Sequence, residues 1–69
     1  MMADWKNRVE GNWNQLSGKV KEQWAKLTDD DLAQIKGNRQ QLEGRIQELY
    51  ATDQETAKRQ VDDWYKNQS

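Results

Sequence analysis

Apolar residues recur at helical spacing along most of the chain. In the first half they stand three or four positions apart, at Trp5, Val9, Trp13, Leu16, Val20, Trp24 and Leu27. This spacing places all of them on one face of a helix, and no strand-like alternation competes with it. Shorter stripes follow at Leu32 and Ile35, then at Leu42, Ile46, Leu49 and Tyr50, and finally at Ala57, Val61, Trp64 and Tyr65. The pattern predicts an all-α protein.

Capping residues and glycines divide the stripes into predicted helices. Asn12, with Gln15 three residues later, is typical of a capping box that opens a first helix of about 13–26. Thr28 is the predicted N-cap of a second helix, because the aspartates after it fall where carboxylates meet the positive end of the helix dipole. Gly37 then occupies the place of a left-handed C-cap.

The second half of the chain adds two more predicted helices. Asn38, with Gln41 three residues later, opens the third helix, and Thr52, with Glu55, opens the fourth. The segment before Gly11 is ambiguous, since a glycine interrupts the stripe there. It predicts either a short separate turn or an extension of the first helix, and we favour a kinked lead-in.

The two halves are copies of one helical unit. Residues 37–51 repeat residues 11–25, with matching glycine, asparagine, leucine and alanine positions in the same order. A repeat of this kind is one unit that cannot bury its apolar face alone. We therefore predict a single domain over 1–69, with repeats at about 11–36 and 37–66. Each repeat forms one helical hairpin, and the two hairpins pack on each other.

Each copy carries a glycine in the middle of its long helix, Gly18 in the first and Gly44 in the second. Glycine in such a position costs about 0.8–1 kcal/mol of helix propensity relative to alanine. The two glycines could lie on a solvent face, or they could mark a close crossing of the first and third helices. We favour the crossing, because each glycine stands near a β-branched residue, Val20 or Ile46.

Several segments in both halves carry a family resemblance. In the first half they are Asn12-Trp13, Gly18-Lys19-Val20-Lys21-Glu22-Gln23-Trp24 and Lys26-Leu27-Thr28-Asp29-Asp30-Asp31. In the second half they are Gly37, Gln41-Leu42, Gly44, Ile46-Gln47-Glu48, Tyr50, Val61 and Trp64. Together they resemble the CsbD-like family of small bacterial general-stress proteins. The resemblance covers nearly the whole chain, and among family members we expect the enterobacterial type to be the most similar.

The resemblance implies a fold and a biological setting. The fold is a small four-helix bundle of two roughly orthogonal hairpins, similar to SAM-domain-like bundles. The setting is a bacterial response to envelope, osmotic or stationary-phase stress. The family has no established enzymatic activity, cofactor or ligand, so no functional residues follow from the resemblance.

The composition limits the classes of protein that fit. The chain has 69 residues, 33% of them charged, with a formal net charge of -1 and neither cysteine nor histidine. Disulfides and the usual zinc sites are therefore excluded. A domain this small has a thin core, so we expect a monomer or a weak homo-oligomer. No apolar run approaches the ~20 residues of a membrane span, and residues 1–4 begin no signal peptide, so we expect a cytoplasmic protein.

The acidic residues predict neither catalysis nor metal binding. Asp29-Asp30-Asp31 lacks the alternating ligands of a calcium loop, and helix capping explains the cluster better. Asp62 and Asp63 could pair with Asp53 or Glu55 as acid and base, although acids on a polar helix face are usually solvated. Without histidine, cysteine or a phosphate-binding loop, no nucleophile has an evident activator. We predict no catalytic residue, no cofactor and no metal, and a protein that is not an enzyme.

The basic residues are mixed with acidic ones. Glu22 and Glu48 stand within one helical turn of Lys19 and Arg45, which favours ion pairs on a solvated face. A nucleic-acid surface needs bases gathered away from acids. Binding to nucleic acid is therefore not expected.

The tryptophans bear most directly on partner binding. Trp24 and Trp64 continue the stripes and are predicted to be core residues. Trp5 and Trp13 lie near the start of the first helix, where less of the bundle can cover them, and exposed indoles are enriched in protein interfaces. We predict Trp5 and Trp13 as partner-binding residues. The rival interpretation is that the lead-in packs onto the bundle.

Three hypotheses about function remain open. The first is a small helical interaction module that meets a protein partner through the end carrying Trp5 and Trp13. The second is a hydrophilin-like protectant, whose abundance and polarity are themselves the function under osmotic or stationary-phase stress. The third is a weak nucleic-acid binder.

Overall fold

This computed structural model describes residues 5–68, and that part of the chain contains five helices. They are α1 (Lys6–Glu10), α2 (Trp13–Gln23), α3 (Asp29–Ile35), α4 (Arg39–Tyr50) and α5 (Gln54–Gln68). The all-α prediction is confirmed over this range. The predicted count of four helices is wrong, because the lead-in forms a helix of its own. Residues 1–4, where we expect no signal peptide, lie outside the described residues.

The lead-in helix α1 is a short turn wound as a π-helix. The Gly11 N–H donates to the Lys6 carbonyl oxygen at 3.1 Å. A Cβ added at Gly11 would lie 2.7 Å from the Asn7 carbonyl oxygen, so this tight turn requires a glycine. The backbone then leaves helical geometry at Asn12 (φ -120°, ψ 29°), and α2 begins at the next residue. The lead-in is therefore a separate turn and not an extension of α2.

Two of the predicted N-caps and the predicted C-cap are present. Thr28 caps α3, since its hydroxyl accepts from the Asp31 N–H at 3.1 Å and the Asp31 carboxylate accepts from the Thr28 N–H at 3.1 Å. Asn38 caps α4 and accepts from a backbone N–H of the first turn at 3.0 Å. The left-handed C-cap of α3 spans Lys36 (φ 50°) and Gly37 (φ 82°). Local sequence signals are sufficient at these three places.

The other two predicted N-caps are wrong. The Asn12 side chain makes no cap, and its amide donates instead to the Arg8 carbonyl oxygen at 3.1 Å. Asp53, and not Thr52, caps α5 by accepting from a backbone N–H of its first turn at 2.8 Å. A carboxylate caps well there because it also meets the positive end of the helix dipole. Helix α2 ends at Gln23, earlier than the predicted boundary near residue 26.

The predicted apolar stripes form the core. Its buried side chains are Trp5, Val9, Val20, Trp24, Leu27, Leu32, Ile35, Leu42, Ile46, Ala57, Val61 and Trp64. Five partly exposed residues pack against it, namely Trp13, Leu16, Leu49, Tyr50 and Tyr65. Helix α4 packs chiefly on α5, α3 packs on α4, and α1 packs on α2. The orthogonal arrangement of two hairpins stays a prediction.

Gly37, and not a glycine in the middle of a long helix, is where two elements of the structure come into close backbone contact. A Cβ added at Gly37 would lie 2.7 Å from the Glu10 Cα, so the turn between α3 and α4 touches the backbone of α1. A Cβ added at Gly18 or Gly44 would meet no atom within 4 Å. The predicted crossing at Gly18 and Gly44 is therefore wrong.

Candidate interaction surface

Trp5 is a core residue. It is 5% exposed, and its Nε1–H donates to the Gly37 carbonyl oxygen at 2.8 Å. The centroid of its ring lies 6.1 Å from that of Trp64 and 5.3 Å from that of Tyr65. The predicted exposure of Trp5 is wrong, and the rival interpretation, in which the lead-in packs onto the bundle, is correct. The physical reason is that Trp5, directly before α1, and Val9 within it lie about one turn apart, so both side chains reach the core.

Arg39 covers Trp5 and was not singled out by the sequence pattern. Its guanidinium carbon lies 5.2 Å from the centroid of the Trp5 ring, a cation–π distance. Its Nε donates to the Glu43 carboxylate at 2.6 Å, and its Nη2 donates to Asp62 at 2.5 Å and to the Lys58 carbonyl oxygen at 3.3 Å. Burial opposes the charge, yet the hydrogen bonds to the two carboxylates outweigh it and raise the pKa of Arg39. The i, i+4 spacing could have indicated the pair with Glu43, but no local signal indicates Asp62.

Trp13 is the indole that remains accessible. It is the first residue of α2 and only partly buried, and its Nε1–H donates to the Leu32 carbonyl oxygen at 3.0 Å. That hydrogen bond fixes the ring against α3 while part of the ring stays in contact with solvent. The ring lines a shallow groove of about 440 Å³, called the Trp13 groove below. The other lining residues are Glu10, Gly11, Asn12, Asn14, Gln15 and Lys36.

Trp24 and Trp64 are core residues, as predicted. They are 2% and 4% exposed, and their ring centroids are 6.1 Å apart. The Trp24 Nε1–H donates to the Gln60 side-chain oxygen at 3.2 Å, so α5 satisfies this donor. Because Trp64 contacts both Trp24 and Trp5, the three rings form a buried aromatic row. The row ties the end of α2 and the start of α1 to the same helix, α5.

The acidic residues considered as catalytic or metal-binding groups instead accept hydrogen bonds at helix N-termini or form an ion pair with Arg39. The hydrogen bond from the Thr28 backbone N–H holds the pKa of Asp31 below its usual value. Side-chain and backbone hydrogen bonds from the first turn of α5 likewise lower the pKa of Asp53. Asp62, considered above as an acid or base, forms an ion pair with Arg39. Within residues 5–68, no group of three or more histidine, cysteine, aspartate or glutamate side chains could hold a metal ion.

Basic side chains on the surface are interleaved with acids. Lys21 lies 2.9 Å from Asp29, and Arg45 lies 4.0 Å from Glu48 at the predicted i, i+3 spacing. Such pairs disperse the positive charge that a nucleic-acid surface would gather. In the described part of the chain, no helix combines the length and the apolar character needed to cross a membrane.

Comparison with known sequences agrees with the resemblance found in the motifs. The sequence model of the CsbD-like family matches residues 7–59, which is more than half of the chain. The chain belongs to the CsbD-like family. The matched residues include Trp13 and Trp24, whereas Trp5 and Trp64 flank the match. No solved structure matches this CsbD-like chain significantly.

Bacterial relatives share most of the length of this CsbD-like protein. A UPF0337 protein of Rhizobium meliloti is 67% identical over 96% of the chain and 94% of its own length. One of Mesorhizobium japonicum is 66% identical over 94% of the chain and 96% of its own length. The UPF0337 protein YjbJ of Escherichia coli (strain K12) is 54% identical over 86% of each chain. The expectation that the enterobacterial type is the most similar is therefore wrong.

Proposed function

We propose that this CsbD-like protein is a small helical interaction module that binds a protein partner in the bacterial cytoplasm during stress. It acts without catalysis. The stress setting follows from what membership of the family implies. The proposed binding role rests on the Trp13 groove. Of the two tryptophans predicted to bind a partner, Trp13 is the one that remains accessible, and it lines this groove.

One observation carries the proposal, namely an indole held in a fixed orientation at the surface. The hydrogen bond from Trp13 to Leu32 orients the ring before any partner arrives, so little side-chain freedom is lost on binding. Tryptophan is also among the residues most enriched in binding hot spots. Around the ring lie the amides of Asn14 and Gln15 and charges of both signs. A partly apolar centre with a polar rim is the usual anatomy of a protein interface.

A hydrophilin-like protectant is the second candidate, and the polar composition favours it, with a mean hydropathy of -1.37. The two functions differ in the folding that they require. An interaction module needs a folded bundle in dilute buffer, and the buried aromatic row supports such a bundle. A protectant would gain helix only on drying or crowding. A cooperative melt of the dilute protein supports the module, and a gradual, non-cooperative loss of helix supports the protectant.

Site-specific photo-crosslinking in osmotically stressed cells tests the binding site. A photoreactive residue in place of Gln15, in the Trp13 groove, should capture a partner. The same residue in place of Gln23, which is exposed at the other end of α2, is the matched control and should not. Equal capture from the two positions would refute the groove as the binding site.

Binding of the purified partner then tests the role of the indole. Trp13→Ala should weaken binding by about 30-fold or more, the range expected for a hot spot. The control is Gln23→Ala, which should bind like the parent protein. Thermal melts of both variants establish that each remains folded. A folded Trp13→Ala variant that binds with unchanged affinity would contradict the proposal.

A further inference from the structure

The kink between α1 and α2 lies at Asn12. Trp5 and Gly11 both have helical backbone angles, whereas Asn12 does not. In an α-helix the Asn12 N–H would donate to the Arg8 carbonyl oxygen. Here that N–H donates to the Val9 carbonyl oxygen at 3.2 Å, and the Asn12 side-chain amide donates to the Arg8 carbonyl oxygen at 3.1 Å. Asparagine side chains compete with the helical backbone in this way, so the Asn12 side chain stabilises the kink.

The apolar stripe continues through the kink without a break. Trp5, Val9 and Trp13 are spaced four positions apart, and the stripe goes on along α2. If Asn12 took helical angles and the π-turn of α1 rewound to α-helical hydrogen bonding, residues 5–23 would form one amphipathic helix. Trp5 and Val9 would then be carried away from their present places in the core. The apolar spacing is therefore the same in a kinked and in a straight form.

Straightening would empty a site with well-defined chemistry, called the Trp5 slot here. The slot consists of the Gly37 carbonyl oxygen, the Arg39 guanidinium group and the rings of Trp64 and Tyr65. The slot offers an indole a hydrogen-bond acceptor for its N–H, a cation over its ring and two aromatic neighbours. Besides Trp5, the segment is held by the buried Val9 and by the contact of Glu10 with Gly37, whereas the polar side chains of the short π-turn α1 are exposed.

We propose that two copies of the chain exchange their lead-in segments, residues 5–10. Each copy straightens at Asn12, and the partner's Trp5 fills the slot that the chain's own Trp5 fills in the monomer. An exchanged segment makes the same contacts in either form, which makes domain swapping a low-cost route to a dimer. The occupant of the vacated slot is thus a second copy of this chain. The dimer also gives this small domain additional buried surface.

The hinge is tested with Asn12→Ala. The substitution removes the side chain that occupies the Arg8 oxygen and supplies the residue with the highest helix propensity. We expect the dimer dissociation constant to fall by about tenfold or more, because both copies lose a hydrogen bond that holds the kink. Analytical ultracentrifugation from micromolar to millimolar protein measures it. Gln23→Ala is the control, since Gln23 is exposed at the other end of α2, and it should leave the constant unchanged.

A disulfide test identifies the exchanged segment itself. Lys6 and Gln40 line one shallow groove beside the slot, and the chain has no cysteine of its own. In the Asn12→Ala background, a Lys6→Cys chain mixed with a Gln40→Cys chain should form a disulfide-linked heterodimer under mild oxidation. A Lys6→Cys chain mixed with a Gln23→Cys chain is the control.

Two results would overturn the exchange. The first is an Asn12→Ala variant whose dimer dissociation constant equals that of the parent protein. The second is a Lys6–Gln40 yield no higher than the Lys6–Gln23 yield, which would mean that any dimer forms through another surface. A lower dissociation constant together with selective Lys6–Gln40 linkage supports the exchange of residues 5–10.

Discussion

Replacing Gly18 by alanine should raise the free energy of unfolding. Gly18 is exposed in the middle of α2, and an added Cβ would meet no atom within 4 Å. The substitution therefore supplies helix propensity, about 0.8–1 kcal/mol, without a steric cost. Gly44 in α4 has the same open space around it. Because the two sites are on different helices, the double variant should gain roughly 1.6–2 kcal/mol.

The matched control is the same substitution at Gly37, where the sign should reverse. The positive φ of 82° disfavours a residue with a Cβ, at a cost of about 1–2 kcal/mol. The added Cβ would also lie 2.7 Å from the Glu10 Cα, and such overpacking typically costs a further 1–3 kcal/mol or so. We expect Gly37→Ala to lose about 2–5 kcal/mol in total.

Urea unfolding followed by far-ultraviolet circular dichroism measures all three variants. In a protein of this size, 1 kcal/mol corresponds to roughly 4–8 °C in Tm, so thermal melts resolve the same differences. A loss of stability in Gly18→Ala would refute the open face and restore a helix crossing at that position. A neutral Gly37→Ala would refute the contact between α1 and the turn that joins α3 to α4.

Three further outcomes follow from the charged residues. Arg39→Ala should lower the free energy of unfolding in urea by about 3 kcal/mol, because it leaves the buried Glu43 carboxylate unpaired. Adding Glu43→Leu should recover much of that loss. An unchanged urea midpoint in the single variant would contradict the ion pair. The folded pKa of Asp53 lies below the usual value of about 3.9, so its charge stabilises the protein above that pH and loses this effect as pH falls through the folded value. Asp53→Asn should therefore be less stable than the parent at neutral pH and equally stable in strong acid, whereas a difference that does not shrink on acidification would exclude this effect. Fluorescence anisotropy at physiological salt should detect no nucleic-acid complex tighter than about 10⁻⁴–10⁻⁶ M, and a submicromolar complex would reverse that expectation.

The core could be predicted because burial of apolar surface dominates stability and helical spacing reports it directly. Val20 and Trp24 in the first repeat and Ile46 in the second were assigned to the core from spacing alone, and all three are buried. The cap at Thr28 was also predictable, since its hydrogen bonds stay within three residues. Features that depend on nearby residues are well encoded in a local pattern.

Asn12 and Asn38 show where a local pattern is insufficient. They are equivalent in the repeat, yet Asn38 caps α4 and Asn12 bonds back to α1. The difference comes from what precedes them. Asn38 follows a left-handed turn at Gly37. Asn12 follows a segment that packs against the other helices through the hydrogen bond from Trp5 to the Gly37 carbonyl oxygen. No short window of sequence contains that long-range contact.

The candidate site was predictable in part for the same reason. Trp13 remains a candidate because it is only partly buried, although its indole N–H donates to the Leu32 carbonyl oxygen. Trp5 is excluded from an exposed surface by its acceptor at Gly37, 32 positions away, and by Arg39 over its ring. Position near the end of a predicted helix does not reveal which distant groups will cover an indole.

The solvent exposure of the indoles tests the central claim most directly, that Trp13 is presented to partners while Trp5 is part of the core. Fluorotryptophan labelling gives each tryptophan its own fluorine NMR resonance, assigned with single Trp→Phe variants. A soluble paramagnetic agent then broadens each resonance according to its exposure. We expect strong broadening for Trp13 and little for Trp5, Trp24 and Trp64. A Trp5 resonance broadened as strongly as that of Trp13 would contradict both the packing of α1 and the choice of the Trp13 groove.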